Sequence, residues 1–275
     1  MPPPDIDVDA YFARIGYDGP RTPTLETLAA IHFRHPQAIP FENLDPLLKR
    51  PVGLEGPALE SKLVRARRGG WCFEQNLLLA DVLQSIGFQV TGLAARVLWN
   101  APEGVVRARS HMLLMVDGLD GGPHIADVGF GGLTLTAPVR LAPNMEQQTP
   151  HEPFRLTQSG NNFVLQASVR AEWKSLYTFD LQPQIPVDYE VSNWHLATHP
   201  ESPFVNNLMA ARVTPQCRYG LFNNQLSTHP RGGPSEQVTL TTSAALRKVL
   251  ESTFEIELPD DAGMDALLER LSTRT

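Results

Sequence analysis

A change of texture at Gly87 constrains this chain more than any other feature. Before it, apolar residues recur with a helical period. After it, they come in short runs rich in Val, Leu and Phe, cut by Gly, Asp and Pro. A helical stripe and a strand alternation bury different faces, so the two halves build different layers. The spacing predicts a helix over 6–15, opening behind Asp5 or Asp7, and another over 22–35, opening at Thr24 with Glu26 and Thr27 in its first turn. A third follows Gly69-Gly70, carries Leu78, Leu79, Val82, Leu83 and Ile86 on one stripe, and stops at Gly87. Cys72 therefore belongs to the first turn of a helix.

Beyond Gly87 the pattern is that of an antiparallel sheet or barrel, with strands expected over 89–99, 110–117, 123–129, 153–157, 162–168 and 173–180. The Pro-punctuated stretch 183–203 reads as a linker carrying a short helix, 187–199, and marks a domain boundary. The remainder mixes strands over 213–222, 225–228 and 237–240 with helices over 243–253 and 261–273, an α/β piece. No internal repeat is present.

With 23 Lys and Arg against 30 Asp and Glu in 275 residues, the net charge is -7. That balance opposes nucleic-acid binding, and Arg65, Arg67 and Arg68 form too short a cluster to neutralise a run of phosphates. No apolar stretch approaches the roughly 18 to 20 residues of a membrane span, and the first residues lack a signal-peptide pattern. The expected location is cytoplasmic. Cys72 and Cys217 are the 2 cysteines, too few for a disulfide framework.

The densest local constellation is Arg68-Gly69-Gly70-Trp71-Cys72-Phe73-Glu74-Gln75-Asn76. A thiolate is the nucleophilic form of cysteine, and the unpaired N–H groups of a helix N-terminus favour negative charge. Two glycines allow a sharp turn and an open approach; the alternative is a small buried hydrophobe. A nucleophilic cysteine needs a base and an orienting group. Ser110-His111-Met112 and Ile125-Ala126-Asp127 flank the turn signal Asp117 to Gly122 and read as a β-hairpin. A turn centred on Leu119 sets His111 directly opposite Asp127, on one face, with about 5 Å between Cβ atoms. The remaining histidines lack such a partner: His32 and His35 share a helix without a third ligand, His124 abuts the turn, and His151, His195, His199 and His229 fall in loops or linker.

No C-x-x-C, H-E-x-x-H or phosphate-loop pattern is present, so no metal is expected. Gly129-Phe130-Gly131-Gly132 follows a strand and could admit a pyrophosphate, although a plain turn explains it as well.

The Cys72 block, together with Ile39-Pro40-Phe41-Glu42-Asn43-Leu44, Ser110-His111-Met112, Asp127-Val128-Gly129-Phe130-Gly131, Ser202-Pro203-Phe204 and Leu221-Phe222-Asn223-Asn224, resembles the arylamine N-acetyltransferases over nearly the whole chain. The resemblance implies an α+β fold of three parts: a helical bundle over 1–88, an antiparallel β-barrel over 89–198 and an α/β lid over 199–275. It implies a papain-like Cys72, His111 and Asp127 triad. An aromatic wall of Phe41, Phe130 and Phe204 follows from it, as do coenzyme A contacts at Ser110, Gly129, Phe130 and His229. Trp71 stands where the family often has another aromatic or apolar residue, and Cys217 lies outside the motif. The implied partners are acetyl-coenzyme A and small aromatic amines and hydrazines, in a role in xenobiotic metabolism, with room for a weak homo-oligomer. The rival expectations are a thiol hydrolase or amidase using the same three residues, and a non-catalytic coenzyme A or acyl-binding module in which Cys72 is merely buried.

Overall fold

Asp7 opens the first helix, α1 (Val8–Ile15), by accepting the Ala10 N–H at 2.9 Å. Asp5, the other candidate cap, lies outside the residues the computed structural model describes, which are 6–102 and 104–274. Thr24 caps α2 (Leu25–Ala38) through the Thr27 N–H at 3.2 Å. That helix runs past its expected end at His35, through Pro36. After β1 (Phe41–Glu42) and the short α3 (Leu44–Leu47), α4 (Gly56–Leu59) continues into a π-helical turn at Glu60–Arg65. The long α5 (Cys72–Ser85) follows. Leu28 and Ile31 of α2 pack with Trp71 and with Phe73, Leu78, Leu79 and Leu83 of α5, and these residues are essentially sealed from solvent.

Eight antiparallel strands form the central layer: β2 (Gln89–Val97), β3 (Arg109–Asp117), β4 (His124–Ala126), β5 (Val139–Arg140), β6 (Glu146–Gln147), β7 (Phe154–Ser159), β8 (Asn162–Val169) and β9 (Glu172–Phe179). Their order, β5-β4-β3-β2-β9-β8-β7-β6, leaves β5 and β6 as the two edges. One side chain joins them. The Arg140 N–H donates to Gln147 Oε1 at 2.7 Å, and Gln147 Nε2 donates to the Arg140 carbonyl at 2.9 Å, so the sheet is nearly closed into a barrel. Leu93, Leu113, Ile125, Phe154, Leu165 and Tyr177 fill its interior. Neither β5 nor β6 is signalled by the sequence, because two residues carry no alternation to read.

The hairpin register differs from expectation. Leu114 pairs with Ala126, Met115 with Ile125 and Val116 with His124, which centres the turn on Asp120 instead of Leu119. Gly121 and Gly122, at φ 87° and 97°, take up left-handed backbone at the tip and lengthen the turn on its far side. Moving the centre by one residue moves every partner by two, so facing side chains keep their face. His111 and Asp127 are therefore diagonal neighbours, and β4 stops at Ala126, one residue short of the carboxylate.

The C-terminal part contains α6 (Pro186–Thr198), α7 (Pro203–Asn206), β10 (Met209–Thr214), β11 (Cys217–Phe222), β12 (Gln225–Pro230), β13 (Glu236–Thr239), α8 (Ser243–Ser252) and α9 (Ala262–Ser272). The single strand expected over 213–222 is instead part of a hairpin, turned at Pro215-Gln216, where proline has no N–H to offer a ladder. The sheet order β1-β10-β11-β12-β13 takes its first strand from the N-terminal part. The stretch expected as a linker is packed: Tyr189 and Leu196 of α6 join the helical core, and Asn193 accepts from Trp71 Nε1 at 3.0 Å while donating to the Val52 carbonyl at 2.9 Å. Among the described residues no helix is long and apolar enough to cross a membrane.

Two histidines on the buried face of α2 make acid stability a test of this packing. Burial pushes His32 down to about 4 and His35 down to about 3, so both stay neutral in the folded protein. In the unfolded chain each takes up a proton below its ordinary value of about 6.5, and stability falls as pH drops from there. Unfolding by urea at pH 7 and pH 5 should show a loss at pH 5 of the order of 2 kcal/mol or more from these two groups. Replacing both by Gln should flatten that slope, and an unchanged slope contradicts the assignment.

Candidate active site

The start of α5 is fixed by three consecutive polar side chains. Glu74 accepts the Trp71 N–H at 3.0 Å, the reciprocal half of a capping box. Gln75 Nε2 donates to the Pro40 and Gly70 carbonyls at 2.8 and 3.1 Å, and its Oε1 meets His35 Nε2 at 2.6 Å. Asn76 Nδ2 donates to the Met112 carbonyl at 2.8 Å and to Asp127 Oδ1 at 3.0 Å, while its Oδ1 accepts the Val128 N–H at 3.1 Å. One amide thus ties the helix to β3 and to the turn after β4. Gly69 and Gly70 serve close approach rather than a sharp turn: a Cβ on Gly69 would sit 2.2 Å from the Pro40 carbonyl, and one on Gly70 2.7 Å from Glu74 Oε2.

Beneath the helix start lies a buried ionic network. Arg68 contacts Glu42 at 2.7 Å and Asp45 at 3.2 Å, and Lys62 contacts Asp45 at 2.6 Å and Glu74 at 2.7 Å. Its five members are charged groups removed from water, so taking away one partner strands another.

Cys72 is the first residue of α5, and its Sγ lies 3.8 Å from the Ser110 carbonyl. His111, on β3, presents Nε2 to Asp127 Oδ2 at 2.7 Å, which leaves Nδ1 free of the carboxylate, and it lines the same cavity as Cys72. Asp127 has no exposure at all, and its second oxygen accepts from Asn76 and from the Gly129 N–H at 2.9 Å. Burial alone would push the His111 imidazole down; the Asp127 carboxylate and then Cys72 outweigh it and push it up to about 10. Burial likewise works to raise Asp127, but His111, Asn76 and the Gly129 N–H together hold its carboxyl below the usual range.

Cys72 and His111 open on a cavity of about 2030 Å³ where the helical, barrel and C-terminal parts meet. Phe41, Phe130, Phe204, Ser110, Gly129 and His229 also line it. Phe130 stands edge-on to His111, with ring centroids 5.2 Å apart, and Phe204 stands edge-on to Trp71 at the same separation. Phe41 and Phe204 are 6.4 Å apart. His229 lies on β12, exposed, with Nδ1 at 2.8 Å from Ser235 Oγ. Asp127 does not reach the cavity and lies behind the imidazole.

Sequence reasoning missed Tyr177. Its ring packs against His111 at 4.9 Å and against Phe130 at 5.2 Å. Its hydroxyl lies close to Asp127 but makes no hydrogen bond of ordinary geometry; burial, then the negative charge of Asp127, raises the phenol. No local signal marks it, since β9 reaches β3 only across β2, and both β2–β3 and β8–β9 contain a bulge.

A thiol at a helix start, faced by an imidazole and carboxylate held on a barrel, is a layout suited to acyl transfer through sulfur. Comparison with known proteins gives the class. Residues 24–262 match the family model described as N-acetyltransferase. The arylamine N-acetyltransferase of Mycolicibacterium smegmatis is 46% identical over 264 residues, covering 94% of this chain and 95% of that protein. The structure of the Mycobacterium marinum arylamine N-acetyltransferase superposes with a TM-score of 0.93 at 42% identity, over 97% of this chain and 100% of that one. The same enzyme in complex with CoA gives 0.92 at 42% identity, over 96% and 99%. The chain belongs to the arylamine N-acetyltransferase family, and it is an acyltransferase enzyme.

Gly129 provides a direct check on the site's packing. A Cβ there would lie 2.6 Å from the Cys72 Cα and 2.9 Å from Asn76 Nδ2, whereas one on Gly132 would meet nothing within 4 Å. Gly129→Ala should cost ~2 kcal/mol and slow alkylation of Cys72, while Gly132→Ala should be near neutral in both. Equal behaviour of the two variants in thermal melts and alkylation assays contradicts this packing.

Proposed function

We propose that this protein moves the acetyl group of acetyl-coenzyme A to the nitrogen of arylamines and arylhydrazines, through an acetyl-Cys72 intermediate. The observation that carries the reading is the Cys72, His111 and Asp127 constellation opening on one large cavity. The roles are distributed over a helical bundle (1–88), a barrel (89–198) and an α/β lid (199–275), in a protein of the cytoplasm.

Coenzyme A suits the cavity's volume and charge. In a chain of net charge -7, the lining carries Arg107, Arg109, Arg170, Lys174, Arg218 and Arg231 against Glu152 and Glu172. That local excess of cations favours a phosphate-bearing ligand. Phe41, Phe130 and Phe204 offer ring faces and edges for an arene beside the thiol, and Ser110, Gly129, Phe130 and His229, which line the same cavity, are the proposed coenzyme A contacts.

In the first half-reaction Cys72 Sγ, its proton passed to His111, bonds to the acetyl carbonyl carbon. The thioester C–S bond then breaks, and coenzyme A leaves as its thiol with the proton from His111. Asp127 fixes the imidazole by its Nε2–H and stabilises the imidazolium. In the second, the amine nitrogen attacks the acetyl-Cys carbonyl, the bond to Cys72 breaks, and His111 takes up the proton the nitrogen sheds.

Intact-mass measurement after brief mixing with acetyl-coenzyme A tests this. The wild type should gain one acetyl group on Cys72, lose it on addition of an arylamine and yield the N-acetyl product; Cys72→Ser should gain none. An adduct that decays equally fast without the amine favours a hydrolase, and absence of an adduct favours a binding module. Asp127→Asn should lower turnover by ~1000-fold or more, because the imidazole loses its oriented, charged partner. Phe130→Ala should re-rank a panel of anilines and hydrazides with the fold retained, and an unchanged ranking removes Phe130 from the amine wall.

A further inference from the structure

The register of the β3–β4 hairpin leaves Asp127 without a ladder. Its strand ends at Ala126, and the pairing of β4 with β5 involves only His124 and Ile125. Yet the carboxylate must meet an imidazole that is a diagonal neighbour, which demands a fixed main chain at residue 127. Two side chains supply what the sheet does not. The Asp127 N–H donates to His32 Nε2 at 3.1 Å, from α2, and Thr134 Oγ1 donates to the Asp127 carbonyl at 2.9 Å. Thr134 Oγ1 also accepts the Phe130 N–H at 3.4 Å, which closes the loop that carries Gly129 and Phe130.

We propose that His32 and Thr134 are positioning residues that replace the missing strand hydrogen bonds of Asp127 and so aim its carboxylate at His111. The proposal rests on the acyl-transfer reading of Cys72, His111 and Asp127. What the imidazole contributes there is a directed acceptor. His32 is fully buried and accepts through Nε2, so its proton sits on Nδ1. What the imidazole provides is one acceptor, pointed at the Asp127 amide. Burial, which keeps the ring neutral, preserves that acceptor.

Four proteins separate this role from a structural one: the wild type, His32→Leu, which loses the acceptor, His32→Gln, whose Oε1 restores an acceptor near the position of Nε2, and Asp127→Asn as reference. The readouts are the rate of Cys72 alkylation by iodoacetamide from pH 5 to 10, followed by mass, and kcat and KM for acetyl transfer. His32→Leu should alkylate ~10-fold more slowly at neutral pH, with its profile displaced toward that of Asp127→Asn, and should lose kcat by a similar factor with KM little changed. His32→Gln should recover most of both. Equal profiles for His32→Leu and wild type, beside an impaired Asp127→Asn, overturn the positioning role and leave the triad standing. A normal Asp127→Asn overturns the triad reading and this proposal with it. If His32→Leu fails to fold, Thr134→Val, with Thr134→Ser as its rescue, decides the same question by the same readouts.

Discussion

A carboxylate sealed from water governs this structure. An ionised Asp127 with no exposure is tolerable only if each oxygen is compensated, and each is: Oδ2 by His111, Oδ1 by Asn76 and the Gly129 N–H. Those partners come from the barrel, from the helix that begins at Cys72 and from the turn beyond β4. Placing the charge therefore fixes the helical and barrel parts against each other, and with them the separation of thiol and imidazole. The buried Arg68 and Lys62 network anchors the same helix start from below.

The large cavity follows from how the layers meet. The helix that begins at Cys72, the barrel mouth and the C-terminal sheet each bury one face in their own core, and β1 joins the C-terminal sheet from the N-terminal side. Three cores that touch at their rims enclose space between them, and Cys72 and His111 line it. Helix α6, held to Trp71 and to the Val52 carbonyl by Asn193, is the strap that keeps one wall in place.

What was legible in the sequence was local. The α5 stripe, the caps at Asp7 and Thr24, most barrel strands and the alternation that puts His111 and Asp127 on one face all rest on neighbours a few residues apart. Register does not: a turn centre displaced by one residue, from Leu119 to Asp120, changed a direct pair into a diagonal one while parity preserved the shared face. The glycines before Cys72 were readable as special, but their reason, contact with the Pro40 carbonyl and Glu74, is tertiary. Tyr177, His32 and Thr134 were illegible as site residues because each arrives through packing between elements distant in the chain. The strand expected over 213–222 failed at Pro215, where a chain that reads as continuous must turn.

The protonation of the His111 imidazole is the property of this site most directly open to measurement. Nitrogen-15 NMR of histidine-labelled protein, followed from pH 5 to 10.5, reads the protonation of that ring among its neighbours. Through neutral pH the ring should stay doubly protonated and titrate at about 10, raised by the Asp127 carboxylate and then by Cys72 against the opposing effect of burial, and it should move sharply downward in Asp127→Asn. A His111 that titrates near 6.5, or one indifferent to Asp127→Asn, contradicts that expectation.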